Sequence, residues 1–255
     1  MVARDDREAI KRALSELRDD RTWLVLEPLR WVLEAIDKHS KPYQVIVLEQ
    51  VPQVLPVWEA YEEALKELGY SVACGVLRAE QYGVPQTRKR AILIARFGRE
   101  KSVALPDPSH RLYKKGFSPD TGELGLEPWV SMGEVLDRDE DFFVISNYGS
   151  GGNPKARGRR GSREPSATVT GKIFRNRIVS KNDVLLPRLT ASEAGRLQSF
   201  PKDYPWSGRD IGQQIGNAVP PRLAMHVLCA AFGWGKPDEG SLSALDHWAA
   251  EKDSD

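Results

Sequence analysis

The chain is poor in the residues that build metal sites and disulfide scaffolds. Its 255 residues include two cysteines and four histidines. Cys74 and Cys229 form no C-x-x-C pair, which excludes a disulfide framework and argues against structural zinc. His39, His110, His226 and His247 are scattered without ligand spacing. No apolar run reaches the roughly 20 residues of a membrane-spanning helix. The first residues are charged rather than signal-like. A cytoplasmic protein with no metal and no membrane partner is the expectation. Net charge is nearly absent too, since 37 Lys and Arg meet 36 Asp and Glu. That balance hides an asymmetry. Residues 147–181 hold nine cations against one acid, Glu164.

What is present suffices for a core: 40% of the residues are hydrophobic. Ile10, Ala13, Leu14 and Leu17 give residues 5–18 an amphipathic helical pattern. A second helix spans roughly 22–38 and starts or kinks at Pro28. Val45-Ile-Val-Leu48 is a short continuous apolar run, which predicts a parallel strand buried on both faces. A helix follows at about 57–68, with Pro56 at its start, Gly69 past its end, and Trp58, Tyr61, Leu65 and Leu68 as its buried stripe. Tyr70–Leu77 and Ala91–Ala95 read as strands, and the alternation argues for part of an open α/β sheet. From 97 to 187 the texture turns Gly-, Pro- and Arg-rich, with one clear strand, Phe142–Ile145. Thr190-x-x-Glu193 is a capping box that opens a helix. A last helix runs from Pro220-Pro221 to about Phe232. Residues 236–255 carry six acids against two lysines and read as a loose tail with a helical turn around Leu245 and Trp248. The implied organisation is 1–96, an insertion at 97–187, a return at 188–235, and the tail.

Glu49 follows directly on the apolar run. Ligands of open α/β sheets bind beyond the carboxyl ends of strands, so a carboxylate there can meet a substrate. A helix cap or an arginine ion pair is the plainer alternative. Gln86, Arg88 and Arg90 fall at i, i+2 and i+4, which on extended backbone points all three one way. Two guanidiniums and an amide suit an anion or a base carbonyl. A solvated basic edge is the alternative. Gly149-x-Gly151-Gly152 has no helical pattern after it, so a dinucleotide loop fails there. Small residues mixed with Lys155, Arg157, Arg159 and Arg160 suit a phosphate backbone.

Four signatures in order carry a resemblance. They are Glu49-Gln50-Val51; Pro85-Gln86-Thr-Arg88-Lys-Arg90 after Gly83-Val84; Arg188-Leu-Thr-Ala-Ser-Glu193-Ala-Gly-Arg-Leu-Gln198-Ser-Phe-Pro201; and Gln214-Ile-Gly-Asn217-Ala-Val-Pro-Pro221. Together they resemble the C-terminal part of the DNA cytosine-5 methyltransferases over residues 4–235. The resemblance implies the C-terminal part of a Rossmann-like, S-adenosylmethionine-dependent α/β domain with a small inserted target-recognition domain. Double-stranded DNA is the implied partner. Glu49 would hydrogen-bond a flipped cytosine, with Gln50 standing where the family has Asn. Arg90 would help hold the base and Arg88 would support the site. Asn217, Ala218 and Val219 would edge the cofactor. Glu164-Pro-Ser-Ala-Thr168-Val-Thr170 resembles a recognition element of the family. Gln86, Arg157, Arg159, Arg160, Thr168, Thr170 and Arg175 are therefore the expected DNA contacts.

Two family elements do not occur in this sequence: the F-x-G-x-G cofactor loop and the Pro-Cys-Gln nucleophile. Residues 1–40 look like the helices that follow that cysteine. Cys74 and Cys229 lie in apolar contexts and read as inert. The expectation is one half of a split methyltransferase, inactive until an N-terminal half supplies both elements. A truncated remnant and a non-catalytic, sequence-selective DNA-binding module are the alternatives. An incomplete sheet also predicts that the isolated chain self-associates.

Overall fold

The computed structural model describes residues 20–98, 102–121, 124–147 and 158–247. The helix expected at 5–18, the glycine loop at 149–152, and Arg157 and Trp248 lie outside the described residues. Two compact units are present. One comprises the described residues up to Val76, Ala91–Leu105 and Leu228–Gly235. The other comprises Leu77–Arg90, Pro106–Val227 and the described residues from Lys236.

The first unit begins with α1 (Asp20–His39), which carries Pro28 in its interior, so the helix neither starts nor stops there. Strand β1 (Val45–Gln50) follows, then α2 (Leu55–Glu67) and β2 (Tyr70–Arg78). Pro56 sits in the first turn of α2, where its missing N–H costs nothing. Gly69 follows the helix at φ +94°, a left-handed conformation that favours glycine. Trp58, Tyr61 and Leu65 are buried as the helical spacing predicts. They join Leu29, Leu33, Ile46, Tyr70 and Leu93 in one core cluster, with Leu68 packed against it.

The sheet corrects one expectation. Its order is β1-β4-β2, with β4 at Lys89–Phe97. Strand β1 pairs antiparallel with β4, placing Glu49 opposite Ile92 and Gln50 opposite Ala91. It is therefore an edge strand of this sheet, not a central parallel one. The strand buried on both faces is β4: Ala91 through Ala95 are each 1% exposed or less. A continuous apolar run reports burial, but not the direction of the partner strand.

In the second unit, β3 (Gln86–Thr87) pairs in parallel with β7 (Ser166–Ala167). A four-stranded antiparallel sheet has the order β6-β5-β8-β9, formed by β5 (Phe142–Ile145), β6 (Arg159–Gly161), β8 (Arg177–Ser180) and β9 (Leu185–Leu186). Only β5 was legible beforehand. The others are short, and β6 is too polar to show alternation. Short helices complete the unit: α3 (Met132–Val135), α4 (Ala191–Arg196), α5 (Ile211–Asn217), α6 (Pro221–Phe232) and α7 (Glu239–Ala244). The part of α6 up to Val227 belongs here. Helix α4 opens as the capping box predicts. The Thr190 hydroxyl accepts from Glu193 N at 3.2 Å, and a Glu193 carboxylate oxygen accepts from Thr190 N at 2.8 Å. Its other oxygen takes Arg138 Nε at 2.8 Å. Phe142, Val169, Ile173, Ile178, Leu197 and Ile215 share the core of this unit.

A buried histidine makes the second unit sensitive to acid. His226 is 4% exposed and packs against Tyr82 at 5.1 Å between ring centroids. Burial, together with His110, Arg222 and Lys236 nearby, pushes its pKa down to about 4. A histidine depressed this way stays neutral in the fold but takes a proton in the unfolded chain. Stability is then full above about pH 6.5 and falls as pH drops from there to about 4, by at most about 1.4 kcal/mol per pH unit. Denaturant melts between pH 7 and 4 should show this decline, and His226→Leu should flatten it. An unchanged slope in the variant would assign the sensitivity elsewhere.

Candidate active site and nucleic-acid interface

Glu49 lies one residue from the end of β1 and is half-buried. Ile46 and Leu48 belong to the core cluster, so alternation puts Glu49 on the opposite face. Gln50, standing where the family has Asn, turns back on its own chain: its Oε1 accepts from Val51 N at 2.8 Å. It fixes the strand's exit by a local bond.

The second unit holds Gln86, Arg88 and Arg90 at the junction of β3 and β4. The alternation expected from their spacing is present. Gln86 and Arg88 are 0% and 1% exposed, while Lys89 between Arg88 and Arg90 is exposed. Their targets differ from the expectation. Gln86 Nε2 donates to Leu197 O at 2.9 Å and to Gln198 Oε1 at 2.5 Å. Gln86 Oε1 accepts from Val169 N at 2.8 Å. Both ends of the amide are spent inside the protein, so Gln86 anchors the fold and touches no DNA. Arg88 donates from Nη1 to Val169 O at 3.0 Å and from Nη2 to Gly216 O at 2.9 Å. The anion or carbonyl expected for this guanidinium is thus a pair of main-chain carbonyls. Arg90 is half-buried, with Nη1 on Lys89 O at 2.8 Å.

Gln198 stands in the third signature, but the sequence alone assigns it no role. It is fully buried, and its Nε2 donates to Ile215 O at 2.6 Å. The bonded pair Gln86–Gln198 therefore reaches α5 by a second route. A buried amide two residues past a capped helix was the available signal.

Helix α5 sits unusually close to the recognition element. A Cβ on Gly216 would lie 2.4 Å from Gly171 N and 2.5 Å from the Thr170 carbonyl carbon. A Cβ on Gly212, one turn earlier, would lie 2.8 Å from Gly171 O. Glycine here admits protein backbone, not a ligand. Beyond it, Asn217 is exposed, and its Oδ1 accepts from Gln213 at 2.8 Å. Ala218 and Val219 are half-buried. One exposed amide and two small apolar residues do not by themselves form a cradle for S-adenosylmethionine.

The expected DNA contacts divide into two groups. Thr168 is exposed, with its hydroxyl on Thr87 O at 2.8 Å. The Thr170 hydroxyl accepts from Lys172 N at 3.3 Å. Arg175 is exposed at the end of a short helical turn. These three remain at the surface or near it. Arg159 lies over the Phe143 ring at 4.2 Å and pairs with Asp183 at 2.9 Å. Arg160 is half-buried over the Tyr113 ring at 4.5 Å, with Nη1 on Pro165 O at 3.4 Å. Its role is at least partly structural.

Neither cysteine is a poised nucleophile. Burial and the Glu62 carboxylate, 3.1 Å away, push the Cys74 thiol up to about 12. Cys229 is buried. Among the described residues no group of side chains could hold a metal, and no helix is long and apolar enough to cross a membrane.

A family model described as C-5 cytosine-specific DNA methylase matches residues 17–125 and 123–232. The chain belongs to that family. Methyltransferases of this family use S-adenosylmethionine. Two type II methyltransferases are similar to the chain. M1.HphI of Haemophilus parahaemolyticus is 32% identical over 196 residues, covering 67% of this chain and 50% of the relative. M.HgiDI of Herpetosiphon aurantiacus is 33% identical over 191 residues, covering 71% and 57%. This methylase chain thus spans about half the length of the curated relatives it matches. The fold is shared with solved methyltransferases. Schizosaccharomyces pombe Dnmt2 superposes with a TM-score of 0.59 at 15% identity, covering 86% of this chain and 72% of that one. Entamoeba histolytica EhMeth superposes with a TM-score of 0.53 at 15% identity, covering 88% and 72%.

Proposed function

We propose that this chain carries the base-holding and target-recognition parts of a DNA cytosine-5 methyltransferase of the restriction–modification type, and that residues 97–187 read the DNA. The observation that best supports this reading is the convergence on Arg88. One buried guanidinium takes carbonyls from Val169, in the recognition element, and from Gly216, beside Asn217. Two of the four signatures and the recognition element meet at that side chain.

The target cytosine leaves the duplex at a cost of a few kcal/mol. Glu49 then holds its ring nitrogen and exocyclic amine, and Arg90 steadies the ring. A thiolate adds to C6, C5 takes the methyl group, the C5 proton leaves to a base, and the thiolate is expelled. S-adenosylmethionine supplies the methyl group when bound. The thiol held at about 12 on Cys74 and the buried Cys229 are unsuited to the addition. The nucleophile and the glycine loop come from another segment or a separate chain.

Mixing this chain with a segment carrying F-x-G-x-G and Pro-Cys-Gln should transfer labelled methyl groups to duplex DNA, where neither part alone does. In that mixture Glu49→Gln should slow transfer by about 10²–10³-fold. If no cognate segment restores transfer, yet the chain alone binds DNA with sequence preference and steep salt dependence, the non-catalytic DNA-binding reading stands instead. A Glu49→Gln mixture as fast as the parent would remove Glu49 from the base contact.

A further inference from the structure

A second candidate site lies in the second unit. Around Arg111, Lys114, Phe117 and Trp129 there is a cavity of about 370 Å³, which falls in the range of small-molecule sites. Among the described residues its lining holds two cations, Arg111 and Lys114, and no carboxylate. Leu112 and Leu126 supply apolar wall.

The cavity is built, not incidental. Its backbone is pinned where Ser109 N and His110 N both donate to Gln81 O at 3.0 Å, and where Arg111 N donates to Glu127 O at 2.8 Å. Arg111 Nη1 donates to Pro119 O at 2.9 Å and curls the intervening turn. Trp129 is 3% exposed and stands edge-on to Tyr113 at 5.3 Å. Its indole N–H is buried and meets no acceptor among the described residues. Phe117 lies at the opposite extreme, 58% exposed, with Lys114 Nζ 6.0 Å from its ring centroid. A large exposed ring beside a cation that has no ion pair among the described residues is unusual on a protein with balanced charge.

The exposed Phe117 ring can stack on a planar base, and Lys114 and Arg111 can bind a phosphate. We propose that this cavity binds a nucleotide whose base is unpaired. The site also connects to the recognition sheet. Tyr113 contacts Trp129 at its edge and carries Arg160 of β6 over its ring at 4.5 Å. A nucleotide here would sit beside an edge-to-face pair, Trp129 and Tyr113, whose far ring carries Arg160 of β6. The proposal does not depend on methyl transfer.

Equilibrium binding of deoxynucleoside 5′-monophosphates to the full chain, followed by saturation-transfer NMR, tests it. Each monophosphate should bind at least about fivefold more tightly than its nucleoside and than inorganic phosphate. Phe117→Ala and Lys114→Gln should each weaken binding by at least about fivefold, whereas Lys38→Gln should not. Phe117 and Lys114 are both exposed, so these variants should fold, and an unchanged melting curve confirms it. S-adenosylhomocysteine should not compete. No binding, binding indifferent to Phe117 and Lys114, or competition by S-adenosylhomocysteine would each overturn the proposal.

Discussion

Gly216→Ala is expected to destabilise the second unit severely. In an exposed helix, replacing Gly by Ala would stabilise the chain by about 1 kcal/mol. Here the added Cβ would lie 2.4–2.5 Å from backbone atoms of Thr170 and Gly171. Backbone cannot rotate away as a side-chain tip can, so α5 or the recognition element must move. Overpacking of well-packed cores costs about 1–3 kcal/mol and more when the main chain is displaced. Steric cost therefore exceeds helix propensity, and a net loss of about 3 kcal/mol or more is the expected result. The displacement also lengthens the Arg88 bond to Gly216 O, so DNA binding should fall with stability. Urea melts beside those of Gly158→Ala give the comparison. Among the described residues a Cβ there meets nothing closer than 4.0 Å, and that variant should stay within about 0.5 kcal/mol of the parent. Equal stability of the two variants would refute the close contact.

Arg88→Ala should be comparably severe for a different reason. The substitution leaves the carbonyls of Val169 and Gly216 buried without their donor, at about 1–3 kcal/mol each, and opens a cavity as well. A loss of about 3–5 kcal/mol is expected. Arg88→Lys keeps the charge but loses the planar fork that reaches two carbonyls at once. It should recover less than half of the loss. Amide exchange at Val169 separates this from general loosening, because Val169 N is held by Gln86, not by Arg88. If Arg88 organises the cluster, Arg88→Ala should speed exchange there even under conditions where the protein stays folded. Unchanged protection at Val169 would confine Arg88 to a local bond.

These outcomes also mark what was legible in the sequence. The stripe Trp58, Tyr61 and Leu65 was visible because a helix repeats its inward face every three to four residues. The Thr190–Glu193 box was visible because both partners lie within one turn. The direction of β1 was not visible, since it depends on β4, some forty residues away. Gln86 and Arg88 show the same limit at the site. Their spacing matches the observed alternation, while the expected anion or base carbonyl is not the partner they meet. That the acceptors are Leu197, Val169 and Gly216 of the same chain depends on contacts across about 80–130 positions. No local pattern encodes such contacts. Glu49 and Asn217 were placed by resemblance; Asn217 is exposed and Glu49 half-buried.

The bonds that hold Val169 and Gly216 end on peptide groups. Gln86 takes the N–H of Val169, while Arg88 takes its C=O and that of Gly216. Every amino acid offers a C=O, and all but proline offer an N–H. Beyond the glycines that the close approach requires at 171 and 216, the anchor does not depend on particular flanking side chains. A lineage could exchange or lengthen the segment between Pro106 and Ser166, and so acquire a new target sequence, without altering Gln86 or Arg88. Specificity could then diversify like an interchangeable cartridge while its socket stays fixed.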